Sequence, residues 1–133
     1  IERGELDVCY QPEVQLANGR ICAAEALSRW TDAELGVVSA VEFIPVAEEA
    51  GLINALGLAC LRRACEAARH WIDCDLEVRE VSVNVSIRQL VDSTFVRVVE
   101  EVLSSARLPA AHLQLEVTES VVLQHGEEVM RRD

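Results

Sequence analysis

Apolar and polar residues alternate along this chain with two different periods. From about Leu52 to Ile72, Leu56, Cys60, Leu61, Ala64, Cys65, Ala68 and Trp71 recur three or four residues apart, with Arg62, Arg63, Glu66, Arg69 and His70 opposite. That spacing predicts one long amphipathic helix. "VSVNVS" (81–86) alternates strictly, Val81, Val83 and Val85 against Ser82, Asn84 and Ser86. "LQLEVTE" (113–119) does the same, with Leu113, Leu115 and Val117 against Gln114, Glu116 and Thr118. Both read as strands. Between them, Phe95, Val98, Val99, Val102, Leu103 and Ala106 mark the inner side of a helix from Asp92 or Ser93 to about Arg107, with Pro109 just past its end.

The first third reads differently. Residues 7–16 are a strand broken by Pro12, Ala17-Asn18-Gly19 is a turn, and residues 20–30 form a returning strand. Asn-Gly between two apolar runs predicts an antiparallel hairpin. A loop through Gly36 then leads to Ser39, an N-cap with Glu42 three residues on, for a short helix over 40–50 closed by Gly51. The tail GEEVMRRD reads as the opening turns of a further helix.

Strand, helix, strand, helix, strand is the order of parallel βα units. A parallel sheet is covered on both faces and normally reads as nearly unbroken Val, Ile and Leu. Here each strand carries a polar row. If the apolar rows meet the helices, the polar rows face a shared interior, which a closed βα barrel provides, with functional groups at the C-terminal strand ends. The fold expected is α/β: the first half of a TIM-like (β/α) barrel with an antiparallel first strand. No internal repeat, low-complexity tract or linker divides residues 1–133.

Charge narrows the partners. With 23 acidic against 12 basic residues the formal charge is −11. No basic patch is available for a nucleic-acid polymer or an acidic membrane. No apolar run is long enough to span a bilayer, and IERGELDVCYQ is no signal peptide; no membrane contact is expected of this segment. Five cysteines, at 9, 22, 60, 65 and 74, form no C-x-x-C pair. This points to reduced thiols and a cytoplasmic location, with Cys60 and Cys65 as small buried hydrophobes. His70, His112 and His125 lack zinc-ligand spacing.

Candidate chemistry lies on the polar rows. "AAEALSRW" (23–30), read as a strand, puts Glu25, Leu27 and Arg29 on one face. Glu25, Asn84 and Glu116 come from three successive parallel strands and offer two carboxylates and an amide carbonyl. That all-oxygen set favours Mg²⁺ or Mn²⁺ over zinc or copper. Arg29 suits a phosphate held by paired N–H bonds. A solvated strand face is the plainer reading of any one of these residues; together they favour a metal-and-phosphate site.

These residues also carry a family resemblance. "YQP" (10–12), "AEALSRW" (24–30), "EFIPVAEEAGLI" (42–53), "VNVS" (83–86) and "LEVTES" (115–120), in this order and separation, resemble the EAL domain of bacterial cyclic di-GMP phosphodiesterases, named for a tripeptide that is here Glu25-Ala26-Leu27. The resemblance implies a domain that hydrolyses cyclic di-GMP to linear pGpG with two Mg²⁺ or Mn²⁺ ions. It implies Glu25, Asn84 and Glu116 as metal ligands, and Arg29, Gln11 and Leu27 as substrate contacts. Pro45 would shape the pocket wall, and Glu119 would be the second glutamate, anchoring a loop with later acidic ligands. An upstream signalling domain is expected in the parent protein.

The chain departs from the family at Thr31-Asp32 and Ser39-Ala40, where members usually have His-Pro and Ser-Pro. Nothing matches the family's Asp-Asp-Phe-Gly-Thr-Gly loop, catalytic lysine, or later glutamate and glutamine. A complete βα barrel takes about 250 residues, so the chain reads as the N-terminal portion of one EAL domain, inactive by itself. Such a half would carry an open sheet edge through which copies could pair. The alternative is a degenerate EAL domain that binds the dinucleotide or relays a signal without cleaving it. A purely structural acidic α/β domain would leave the polar rows without a use.

Overall fold

The Asn18-Gly19 turn folds the first strand back on the second. In the computed structural model, which describes residues 6–32, 34, 36–38 and 40–117, β1 (Leu6–Val14) runs antiparallel to β2 (Ile21–Asp32), with Tyr10 opposite Ala26 and Gln11 opposite Glu25. The Asn18 side-chain oxygen accepts the Arg20 backbone N–H at 3.0 Å, which fixes the turn locally. The segment expected as a loop through Gly36 instead contains β3 (Gly36–Val38), antiparallel to the end of β2. Three residues are too few to carry a readable alternation, and the overrun of β2 supplies the edge they pair with.

α1 (Ala40–Glu49) ends where expected. Gly51 takes φ +74°, and the Leu52 and Gly51 N–H groups return to the carbonyls of Ala47 and Glu48 at 2.8 and 3.2 Å. This left-handed close is cheap only for glycine. The cap expected from Ser39 and the Glu42 side chain lies outside the described residues and side chains.

α2 (Ile53–Asp73) buries Leu56, Cys60, Leu61, Ala64, Cys65 and Ala68 of the stripe its periodicity predicts, with Ile53 added at its start and Trp71 half-buried at its end. It lies on the sheet against β4 (Glu80–Asn84), whose Val81 and Val83 are 0% and 3% exposed. Tyr10 and Trp71 join the same core edge-to-face, ring centroids 5.1 Å apart. The Tyr10 hydroxyl donates to the Arg63 carbonyl at 3.2 Å, and burial pushes its pKa up to about 12. Burial likewise pushes the Cys65 thiol up to about 11, so it stays protonated and inert at neutral pH. All five cysteines are free.

β4 is parallel to β2, and β5 (Leu113–Glu116) is parallel to β4, giving the order β1-β2-β4-β5 with β3 off β2. Between β4 and β5 lie a short α3 (Ile87–Leu90), α4 (Phe95–Ala106) and one 3₁₀ turn (Ala110–His112). α4 starts at Phe95, the first residue of its apolar pattern and not the expected Asp92 or Ser93, because Asp92 is used as a turn acceptor. The Thr94 N–H and hydroxyl both donate to Asp92 Oδ1, at 2.8 and 2.6 Å. Val102 is buried, and Val98, Val99, Leu103 and Ala106 pack beside it as expected. A smaller core of Val38, Ile53 and Leu56, with Trp30 and Ile44 against it, fastens α1 over the upper end of β2. The expected tail helix lies outside the described residues. Among the described residues no helix is long and apolar enough to cross a membrane.

Candidate active site

Strand register decides which polar groups meet. In an aligned pair, facing residues share a side of the sheet. Gln11 faces Glu25, Glu25 faces Ser82, and Ser82 faces Gln114; one step along the strands, Asn84 faces Glu116. Val81 and Val83 point to α2, so this polar row occupies the opposite side, as the alternation requires. Its functional end is the C-terminal end of β4 and β5, where Asn84 and Glu116 are the last strand residues.

The side chains converge there. Asn84 Nδ2 donates to Glu25 Oε1 at 3.0 Å, bridging strands far apart in sequence. The Glu116 carbonyl accepts the Val85 N–H at 2.8 Å, which extends the β4–β5 ladder just past Asn84. Glu25 and Glu116 are half-buried and Asn84 is exposed, so the group lies open on the polar side. Arg29 is exposed, further along the same face of β2, beyond Leu27. Gln11 is exposed and directly opposite Glu25. Among the described residues no three His, Cys, Asp or Glu side chains form a metal-holding group; the Asn84 amide is bonded to the Glu25 carboxylate and stands in register beside Glu116.

Beside the group is a cavity of about 300 Å³ lined by Leu27, Asn84, Glu48, Cys60, Gly57 and Gln89 among others. α1 contributes Ile44 and Glu48 to its described lining, while Pro45, expected to shape the pocket wall, is exposed. Glu119 lies outside the described residues. Glu48, Gly57 and Gln89 are absent from the sequence reading. Only Gln89 left a legible signal there, the Ser-x-x-Gln of a capping box at 86–89. One further group stands out: the Ser82 hydroxyl, in the row between Glu25 and Gln114, is buried with no hydrogen-bond partner.

Comparison with known proteins decides the family. The model of the EAL domain matches residues 1–132. The chain belongs to the EAL domain family. The y4lL protein of Sinorhizobium fredii is 44% identical to it over 124 residues, 93% of this chain and 14% of that protein. The bifunctional diguanylate cyclase/cyclic di-GMP phosphodiesterase MucR of Pseudomonas aeruginosa is 35% identical over 127 residues, 96% of this chain and 18% of MucR. A solved structure of the PaMucR phosphodiesterase in complex with c-di-GMP superposes with TM-score 0.92 at 34% identity, over 98% of this chain and 53% of that one. The chain therefore spans about half of that solved EAL structure, and its sheet and helices are the TIM-like arrangement of that half. Within it, the EAL tripeptide Glu25-Ala26-Leu27 alternates between the two sides of β2. Glu25 and Leu27 face the polar row and the buried Ala26 faces the core.

Proposed function

We propose that this chain is the N-terminal portion of an EAL domain that hydrolyses cyclic di-GMP to linear pGpG with Mg²⁺ or Mn²⁺. The observation that carries the reading is the 3.0 Å contact between Asn84 and Glu25 at the open strand ends, with Glu116 in register beside Asn84. A half-turn of the Asn84 amide presents its oxygen in place of its nitrogen, which makes an oxygen-only donor set from three strands. Such a set suits a hard divalent cation. Glu25, Asn84 and Glu116 would hold the cation, which supplies a water of lowered pKa and neutralises charge on phosphoryl oxygens. Arg29 binds a substrate phosphate by charge-assisted hydrogen bonds. Gln11 and Leu27 line the approach, Pro45 contributes from α1, and Glu119 anchors the following loop.

The reading is tested in the complete domain by incubating cyclic di-GMP with Mg²⁺ and separating the products. A single linear product, formed with metal and stopped by chelation, is expected. Cyclic di-GMP that stays intact although it binds would favour a receptor over a hydrolase. Arg29→Ala should raise KM roughly 10-fold or more with a smaller change in kcat, since it removes a contact made before and during reaction. An unchanged KM would remove Arg29 from the substrate site.

The 133-residue chain alone is expected to turn over no substrate, since the described residues offer three oxygen ligands in register and no further metal-holding group among them. Turnover by the purified chain, free of contaminating enzyme, would overturn this. Self-association of that isolated chain through the β5 edge, which pairs on one side only among the described residues, belongs to the same proposal, and light scattering reads it. We also place the domain in the cytoplasm, behind a signalling domain; five free thiols are consistent with that compartment.

A further inference from the structure

Asn84 ends β4, and the turn after it is held by residues that are not candidate ligands. Ser86 caps α3: the Gln89 N–H donates to Ser86 Oγ at 3.3 Å, and the Ser86 N–H donates to Gln89 Oε1 at 3.0 Å. This reciprocal capping box closes the chain two residues beyond Asn84. The Gln89 amide is itself pressed against α2 at Gly57. A methyl carbon at Gly57 would collide with Gln89 Nε2 and stand 2.5 Å from Cδ. Glycine inside a helix is destabilising relative to alanine, so its presence in the second turn of α2 has a local reason: it leaves room for this amide. Arg88, the neighbouring residue of α3, donates Nη1 to the Glu48 carbonyl at 2.6 Å and ties the same turn to α1.

We propose that Gly57 and Gln89 are positioning residues for Asn84, acting through the Ser86 cap to hold the Asn84 amide where it meets Glu25. β5 fixes Asn84 on its strand side; the capping box fixes the chain leaving it. Without the Gln89 amide oxygen the Ser86 N–H loses its partner, and Asn84 keeps only the strand side of its support. A methyl at Gly57 has the same consequence by a different route, because the flexible Gln89 amide is the group that must move. This inference rests on the metal-site reading of Glu25, Asn84 and Glu116.

The test uses the complete domain and Mn²⁺, with affinity read by electron paramagnetic resonance and steady-state KM read separately. Gln89→Ala and Gly57→Ala should each weaken Mn²⁺ binding about 10-fold, the scale on which outer partners of metal ligands act. KM for cyclic di-GMP at saturating Mn²⁺ should change by a smaller factor than the Mn²⁺ affinity does. Gln89→Glu, whose carboxylate still accepts the Ser86 N–H, should restore most of the affinity, and the double variant Gly57→Ala/Gln89→Ala should be no worse than Gln89→Ala alone. Parental Mn²⁺ affinity in Gln89→Ala with a lowered melting temperature would overturn the proposal, leaving Gln89 a structural cap. If Gly57→Ala does not fold, Gln89→Ala against Gln89→Glu carries the comparison. Absence of Mn²⁺ binding by the parental domain would bring down the metal reading, a result separable from the loss of the positioning role alone.

Discussion

Glu25→Gln, made in the complete domain, is expected to lower cyclic di-GMP hydrolysis on the order of 10³-fold, about 4 kcal/mol of transition-state stabilisation. The substitution separates charge from geometry. The Asn84 Nδ2 donor, 3.0 Å from Glu25 Oε1, finds an amide oxygen in the same place after the change. The half-buried side chain keeps its volume, so the strands and their register have no reason to shift. What is lost is one negative oxygen ligand of a hard cation. Thermal melting should therefore match the parent while turnover collapses, and raised Mn²⁺ should recover part of the rate. Hydrolysis at the parental rate would remove Glu25 from the metal site.

The second large effect is on stability. Val81→Asp should prevent folding, read as loss of the cooperative melt and of soluble protein. Val81 is 0% exposed in the central strand β4, against Ala64, Cys65 and other small side chains of α2 in the main core. A carboxylate there sits among apolar core side chains, and burying it as an unpaired charge, or as a neutral acid without a hydrogen-bond partner, costs several kcal/mol. That is comparable to the whole stability of a domain, about 5–15 kcal/mol. Leu16, equally apolar, is 99% exposed in the β1–β2 loop. Leu16→Asp should change stability by no more than about 0.5 kcal/mol. A cooperative parental melt for Val81→Asp would contradict the placement of α2 on β4.

These two variants mark what the sequence makes legible. Val81 and Glu25 lie on opposite sides of one sheet, and a period of two assigns each side without any knowledge of the helices. The α2 stripe is equally plain, because seven buried residues repeat at helical spacing. The hairpin follows from one Asn-Gly pair, and Asn84 and Glu116 come into register because both sit at strand ends before a helix or loop.

Hydropathy is silent where other forces set the structure. β3 forms because β2 overruns its neighbours and leaves an edge, which three residues beginning with Gly36 do not announce. α3 is four residues held by the Ser86–Gln89 box, too short for any period. Gly57 reads as a defect in an otherwise regular helix until the Gln89 amide is seen against it. Ile44 and Glu48 reach the cavity together because residues four apart share a helix face, which the short apolar pattern of α1 does not single out.

The central claim is that β2 and the C-terminal ends of β4 and β5 gather one divalent cation. Crystals of the complete domain soaked in Mn²⁺ test it most directly, through the anomalous scattering of the metal. The account expects a peak at roughly 2.0–2.3 Å from oxygens of Glu25, Asn84 and Glu116, with the Asn84 amide turned to present Oδ1. A well-occupied Mn²⁺ elsewhere in the domain, with the Asn84 Nδ2 to Glu25 hydrogen bond still in place, would contradict it.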